Sequence, residues 1–142
     1  MTKTKAQQIM AATEARAADD VTAAIQDIAA EFEPYIIKQR RHFHKHPELS
    51  LVEERTTSDI ANQLDAMNIP YERPLKTGLV ATLRGTAHDA YREDGTPRRR
   101  ILLRADIDAL PVTEQTGEEF ASVNEGCMHA CGHDCHIAMM LG

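Results

Sequence analysis

The sequence predicts an α/β fold in which helices cover a sheet. Two helical patterns come first along the chain, and two apolar runs that are typical of strands follow them. The first run, Leu79–Leu83, is bounded by Gly78 and Gly85. The second, Ile101–Ala105, opens with three consecutive apolar residues, as a strand buried on both faces would. No internal repeat or second domain boundary interrupts this order, so we expect one layered domain.

The composition is that of an ordinary globular chain. The 142 residues are 42% hydrophobic and 27% charged, which argues against collagen, low-complexity disorder and a membrane bundle. Aromatic residues make up 4%, and the formal net charge is −6. Both features disfavour binding to nucleic acid or anionic membranes. No secretory signal or membrane-spanning stretch is expected.

The cysteine pattern favours a reducing compartment. Cys127, Cys131 and Cys135 lie within nine residues, and an odd number this crowded does not make a disulfide framework. We therefore expect reduced thiols and a cytoplasmic location.

The first helix is predicted to begin at Asp19–Asp20, which are plausible N-caps, after a flexible lead-in over residues 1–18. Apolar residues then recur at helical spacing. Pro34 is expected either to kink this helix or to open a second one, and Pro47 to end the helical region. The folded domain is predicted to cover residues 19–142.

A second helix is predicted over about residues 51–67, because Ser50 and Glu53 have capping-box spacing. Asn68 suits its C-terminal end. Glu48 is either a turn residue or a carboxylate near a functional site. The predicted apolar face of this helix comprises Val52, Thr56, Ile60, Leu64 and Met67.

Asp106 and Asp108 stand two residues apart, directly after the predicted buried strand. If strand geometry persists, both carboxylates point to the same face, where they repel unless a cation or a hydrogen bond offsets their charge. Functional sites usually form at this edge of an α/β sheet. The alternative is a turn in which the Asp side chains bond their own backbone.

The densest chemistry lies in residues 127–136, which contain three Cys, three His and one Asp. Thiolate and neutral imidazole are preferred ligands of zinc and similar divalent ions. Gly132 permits a tight turn between Cys131 and His133, so both could reach one ion. Asp134 could orient an imidazole or cap a following helix. Ligands from a single segment predict a partial metal site that is completed from elsewhere.

A second histidine group, His42, His44 and His46, carries a weaker signal. On a strand these alternating residues would share one face, but the segment Arg40–Lys45 fits a helix end, where His and Arg complement the helix dipole. Residues 85–99 are expected to form a surface loop that holds His88 and leads into a solvated basic triplet at Arg98–Arg100.

Four sequence blocks, in order over about residues 36–142, resemble the metal-dependent amidohydrolases. This subgroup of the carboxypeptidase and aminoacylase metallopeptidases includes hippurate hydrolase, N-acyl-amino-acid amidohydrolases and indole-acetyl-amino-acid hydrolases. The blocks are Arg40-Arg41-His42-Phe43-His44-Lys45-His46-Pro47-Glu48-Leu49-Ser50 with Glu54 and Thr56; Thr77-Gly78-Leu79-Val80-Ala81 with Leu83 and Gly85; Leu103-Arg104-Ala105-Asp106-Ile107-Asp108-Ala109-Leu110-Pro111 with Glu114; and Met128-His129-Ala130-Cys131-Gly132-His133-Asp134 with His136 and Leu141-Gly142.

The resemblance implies the N-terminal part of a zinc-peptidase-like catalytic domain, with helices packed on a mixed sheet and two divalent ions, zinc or manganese. Cys131 and His133 match metal-ligating positions of the subgroup, while Asp106 and Asp108 match positions that support the site. The implied reaction is hydrolysis of the amide bond of an N-acyl amino acid such as hippurate by metal-activated water, with a glutamate as general base. Three more side chains could support or complete the site: Asp134, His129 and His136.

The family's glutamate pair, its remaining ligands and its lid and dimerisation domain have no counterpart in these residues. We therefore expect weak metal affinity and negligible hydrolysis by this chain alone. Two alternatives stay open: a non-catalytic metal-binding or interaction module, and one half of a split enzyme that associates with a chain carrying the missing part. A thiol redox sensor built on the three cysteines is a third.

Overall fold

The computed structural model describes residues 5–87 and 89–142, with side chains in the first helix from Asp20 onward. The start of the predicted lead-in and the loop residue His88 lie outside the described residues. The chain divides into two compact units, one up to Tyr35 and one over Ile36–Leu141. The second unit contains every predicted site residue.

Three helices and two short strands make up the secondary structure of the described residues. In chain order they are α1 (Lys5–Lys45), α2 (Glu54–Ala66), β1 (Tyr71–Glu72), β2 (Val80–Ala81) and α3 (His133–Leu141). None of these helices is long and apolar enough to cross a membrane.

Helix α1 begins earlier than its sequence predicts. It is already helical at Lys5, so Asp19–Asp20 lie inside it and the predicted N-caps are wrong. The residues before them are rich in Ala and include Gln, Lys, Met and Arg, which are good helix formers, and this explains the extension. The helix continues through Pro34 and ends at Lys45, close to the stop predicted at Pro47. The domain boundary placed at residue 18 stays a prediction.

Helix α2 is capped from outside the predicted capping box. The backbone N–H groups of Arg55 and Thr56 donate to the Glu48 carboxylate at 3.1 and 2.7 Å, and Glu53 makes no side-chain cap. The Ser50 capping box is therefore wrong, and the open role of Glu48 is that of a helix cap. Asn68 follows the helix with φ of 56°, which confirms the predicted C-terminal end.

The core of the second unit lies where the end of α1, the inner face of α2 and α3 come together. Helix α2 packs against α3. Burying these side chains on folding provides the main stabilisation of this unit. The buried apolar side chains of the three helices are Phe43, Ile60, Ala61, Leu64, Ile137, Ala138 and Leu141.

The sheet is smaller than predicted. Strands β1 and β2 pair antiparallel, with Tyr71 opposite Ala81, and the mixed sheet does not form among the described residues. Ile101–Ala105 is not a strand, and Ile101, Leu102 and Leu103 are 87%, 87% and 71% exposed. The predicted buried strand is therefore wrong for this chain. The strand does not form because a central strand needs neighbouring strands on both edges and cover on both faces, and no described element supplies them.

Candidate metal centre

His133 and Asp108 form a close side-chain contact between the two chemistry-bearing motifs. His133 Nδ1 lies 2.9 Å from Asp108 Oδ1 and also 2.9 Å from the Asp108 carbonyl oxygen. Both partners are acceptors, so Nδ1 carries a hydrogen, and in the neutral ring this tautomer leaves the lone pair on Nε2. Metal-ligating histidines typically have this arrangement, in which a carboxylate or carbonyl fixes the ring while the other nitrogen binds the ion.

Local backbone structure explains why these two residues meet. Leu110 and Met128 exchange two backbone hydrogen bonds at 2.9 and 3.0 Å, which joins the aspartate segment to the cysteine-rich segment. Ala109 N also donates to Glu48 O at 2.8 Å. Gly132, with φ of 82°, turns the chain directly before α3, a conformation that glycine adopts without strain. His133 is therefore the first residue of α3, facing the Asp108 segment.

The two aspartates that the sequence predicts as a pair have separate surroundings. Asp106 Oδ1 accepts from Arg104 Nη2 at 2.5 Å, and both side chains are about one third exposed or more. Asp108 instead contacts His133. The condition under which both carboxylates would point to one face is not met, because residues 101–108 are not in a strand.

The three cysteines also differ in their surroundings. Cys131 is exposed, Cys135 is half-buried and Cys127 is buried, and none forms a disulfide. Burial, and next the nearby Glu48 carboxylate, raise the pKa of the Cys127 thiol, which disfavours the thiolate there. Cys131, next to Gly132, is therefore the more available ligand.

Behind the centre, Asp134 anchors a buried polar network. Its Oδ2 lies 2.8 Å from His44 Nδ1 and accepts from Arg40 Nε at 2.9 Å. His44 Nε2 lies 3.1 Å from Glu114 Oε1, and Ser122 N donates to the other Glu114 oxygen at 2.6 Å. The side chains of His44, Asp134 and Glu114 are each no more than 4% exposed. The network ties α1 and the loop after Asp108 to the first turn of α3.

The other two predicted supporting side chains, His129 and His136, have different environments. The His129 ring is buried, and neither nitrogen has a hydrogen-bond partner among the described residues. Burial lowers the pKa of His129, so its imidazole is neutral near pH 7. His136 is exposed, and its ring stacks on that of His133 with centroids 5.5 Å apart. Neither His129 nor His136 takes the place of Asp108 as the hydrogen-bond acceptor of His133 Nδ1.

Local sequence patterns gave His44 only a weak signal, left the role of Glu48 open and gave no signal for Glu114. The partners of His44 are 90 and 70 residues away along the chain, so no local spacing indicates them. All three occur in the sequence blocks that carry the family resemblance, which was the only signal for Glu114.

The donor atoms of these residues suit a metal ion, but among the described residues fewer than three such side chains are placed together to hold one. Cys131 offers a thiol and His133 a free Nε2, a donor pair that suits zinc. Across residues 5–87 and 89–142, however, no group of three or more His, Cys, Asp or Glu side chains is placed to hold an ion. The assignment of Cys131 and His133 as ligands therefore stays a proposal.

Comparison with known proteins places this arrangement in a family context. Residues 102–142 match the model of peptidase family M20/M25/M40. The chain is 43% identical over 119 residues to an N-acyl-L-amino acid amidohydrolase of Geobacillus stearothermophilus, a match that covers 83% of this chain and 30% of that protein. An uncharacterized hydrolase of Staphylococcus epidermidis is 45% identical over 107 residues, 75% of this chain and 25% of that protein.

The fold of the chain is similar to that of a solved structure. The YXEP protein of Bacillus subtilis, described as a dinuclear metal binding peptidase of the M20 family, matches with a TM-score of 0.68 and 42% identity over 79% of this chain and 30% of that one. This confirms the α/β fold class. The chain spans about a quarter to three tenths of the length of these relatives. The family resemblance is therefore confirmed as a similarity: residues 102–142 match the model of peptidase family M20/M25/M40, and the chain is similar over most of its length to an N-acyl-L-amino acid amidohydrolase.

Proposed function

We propose that this chain provides part of the metal centre of a hydrolase that cleaves the amide bond of N-acyl amino acids. The contact between Asp108 and His133 carries the proposal, because a carboxylate behind an imidazole is the arrangement that prepares a histidine for a metal ion. The match to a family whose relatives include a dinuclear metal binding peptidase supports it.

Within this centre, each residue has a defined task. Asp108 holds the His133 ring and keeps Nε2 free for the ion, and Cys131 supplies a thiolate. Asp134 fixes the first turn of α3 through its bond to His44. A bound divalent ion would activate water and polarise the amide carbonyl. Zinc suits this donor pair best. Manganese is the second candidate because the family resemblance implies it.

The substrate class comes from the relatives. The Geobacillus protein is named as an N-acyl-L-amino acid amidohydrolase, which supports small N-acyl amino acids, including hippurate, as substrates. The three free cysteines support a reducing compartment such as the cytoplasm.

An exposed apolar surface supports a protein partner as well. Leu103 lines an open groove of about 310 Å³ together with Met139 and Met140 of α3, and Ile101 and Leu102, which precede Leu103 in the chain, are also exposed. Apolar surface left bare in this way marks a docking site. We propose that a second polypeptide covers this surface and brings further metal ligands. It would correspond to the part of the relatives that this chain does not match. Without that partner, the expected hydrolysis is negligible.

A chimera tests the function directly. The 119 matched residues of the Geobacillus amidohydrolase would be replaced by those of this chain, and amino acid release from N-acetyl amino acids and hippurate would be measured with zinc or manganese. We expect the chimera to hydrolyse these substrates, and its His133→Ala variant to fall to background. Cys135→Ser serves as the matched control that keeps activity.

The result that would overturn the proposal is a folded, metal-loaded chimera without hydrolysis. Hydrolysis that survives His133→Ala would contradict the assigned ligand. Rapid hydrolysis by the chain alone would contradict the need for a partner.

A further inference from the structure

A second concavity, which we call the basic groove, shares no residue with the metal centre. It has a volume of about 290 Å³. The loop residues Glu119 and Phe120 contribute to its lining. The remaining lining residues come from the end of α1: Lys38, Arg41, His42, Lys45 and His46.

The permanent charges of the basic groove are mainly positive. Lys38, Arg41 and Lys45 recur at helical spacing, so they share one face of α1. None of the three forms an ion pair among the residues that the structure describes. The dipole of the helix end favours cations there, but it offsets only about half a unit of charge. Glu119 is the one carboxylate in the lining.

The negative charge nearest to the histidines is already engaged. Asp59 Oδ2 lies 2.8 Å from His42 Nε2 and 3.6 Å from Arg55 Nε. It therefore does not neutralise the three cations. The positive charge of the groove remains available to an external anion.

His46, which also lines the basic groove, is affected by the same positive charges. Its Nδ1 is shielded from solvent and has no hydrogen-bond partner among the described residues, although buried polar atoms are normally paired. Burial first, and then the positive charges of Arg55, His42 and Lys45, lower the pKa of His46, against an opposing effect of Asp59. The ring therefore lies in a positive potential with an unused polar atom.

Phe120 fixes part of the groove in advance. The Arg41 guanidinium carbon lies 5.0 Å from the centroid of its ring. This cation–π contact limits the side-chain freedom of Arg41 and leaves its planar N–H donors for a partner. The ring also adds an apolar surface beside the charged one.

We propose that the basic groove binds a phosphate group, free or carried by a small organic molecule. Arg and Lys side chains bind phosphate oxygens through charge-assisted hydrogen bonds, and a dianion matches several unpaired cations better than a single carboxylate does. The groove is at the lower end of the size range of small-molecule sites, about 300–1,000 Å³, which favours a small ligand over a polymer.

Isothermal titration with inorganic phosphate and with phenyl phosphate, at constant ionic strength, tests this. We expect saturable binding of phosphate that weakens by at least about fivefold in the Lys38→Gln/Lys45→Gln variant. The Arg99→Gln/Arg100→Gln variant removes the same charge from the exposed basic triplet, so we expect its affinity to change by less than about twofold. Far-UV circular dichroism checks that both variants keep their helices.

The two probes separate the sources of the phosphate group. Tighter binding of phenyl phosphate indicates an organic phosphate that uses Phe120, and equal binding indicates phosphate alone. The proposal is overturned if neither probe saturates, if both variants lose affinity equally, or if polyglutamate binds saturably where the phosphates do not.

Discussion

The imidazole of His44 contacts the Asp134 carboxylate at 2.8 Å, and this contact joins the last turns of α1 to the first turn of α3. Since Asp134 follows His133 directly, the contact also fixes the position of the proposed metal ligand. Glu114 lies 3.1 Å from the other nitrogen of the same ring. One buried histidine thus contacts two buried carboxylates, in addition to the bonds that Asp134 accepts from Arg40 and Glu114 from Ser122.

We expect His44→Ala to destabilise the second unit by about 3–5 kcal/mol, because it leaves Asp134 and Glu114 as buried carboxylates with fewer partners. The matched control is His42→Ala, which removes a neighbouring imidazole that is 39% exposed and should cost less than about 1 kcal/mol. Urea unfolding followed by circular dichroism measures both. Equal losses in the two variants would contradict a special role of His44.

The stability of the second unit should depend on pH through Glu114. Burial would raise the pKa of Glu114, but hydrogen bonds from Thr116, Ser122 and His44 outweigh burial and lower the pKa below its ordinary 4.5. A carboxylate with a lowered folded-state pKa stabilises the fold above the unfolded-state value, and this stabilisation is lost as the pH falls through the folded-state pKa.

The measurement for Glu114 is the urea midpoint as a function of pH below 5. We expect the midpoint to fall with pH below about 4.5 in the wild type, and the fall to be smaller in Glu114→Gln. Glu118→Gln removes a neighbouring exposed carboxylate and should follow the wild-type curve. Identical curves for the wild type and Glu114→Gln would rule out this carboxylate as the source.

Glu48 should stabilise helix α2 from outside the helix. Replacing it by Gln weakens the charge-assisted bonds to Arg55 N and Thr56 N, and we expect a loss of about 1 kcal/mol. Glu54→Gln removes an exposed charge that pairs with Lys76 and should change the stability by less than about 0.5 kcal/mol. The difference between their urea midpoints is the test, and a larger effect of Glu54→Gln would contradict the capping role.

The elements that the sequence predicts well are those that depend on neighbouring residues. The spacing of Thr56, Ile60 and Leu64 in α2, the helix end before Asn68 and the end of α1 before Pro47 are local features, and the structure confirms them. Val52, the first residue of the predicted apolar face, instead precedes α2 and is 53% exposed. The carboxylate that caps α2 belongs to Glu48, which is not part of the capping-box pattern. The pattern therefore predicted the wrong first residue for this helix. The strand predicted at Ile101–Ala105 does not form. Three consecutive apolar residues indicate a buried strand only where neighbouring strands and helices exist to cover them.

The candidate site shows the same division. The cluster at Cys131 and His133 is dense enough to recognise from its residue types alone. That Asp108, and not Asp106, contacts His133 depends on the backbone hydrogen bonds between Leu110 and Met128. No spacing rule predicts these bonds.

The apolar run at Ile101–Leu103 should promote self-association while its proposed partner is absent. We expect Leu102→Lys to lower the binding of a hydrophobic dye and to raise solubility, with helix content unchanged. Leu75→Lys is the matched control, since Leu75 is exposed at a separate position, and we expect a smaller effect there. Sedimentation and dye fluorescence measure the outcome, and equal effects at both positions would argue against a docking surface at 101–103.

Titration with Co²⁺, which reports thiolate ligation by an ultraviolet charge-transfer absorption, tests the proposed metal centre most directly. We predict that the wild-type chain shows this absorption, that Cys131→Ser and His133→Ala abolish it, and that Asp108→Asn weakens Co²⁺ affinity by about 10–100-fold. Asp106→Asn and Cys135→Ser should leave the absorption unchanged. No thiolate absorption in the wild type, or a loss that follows Cys135 or Asp106 instead, would contradict the metal centre formed by Cys131, His133 and Asp108.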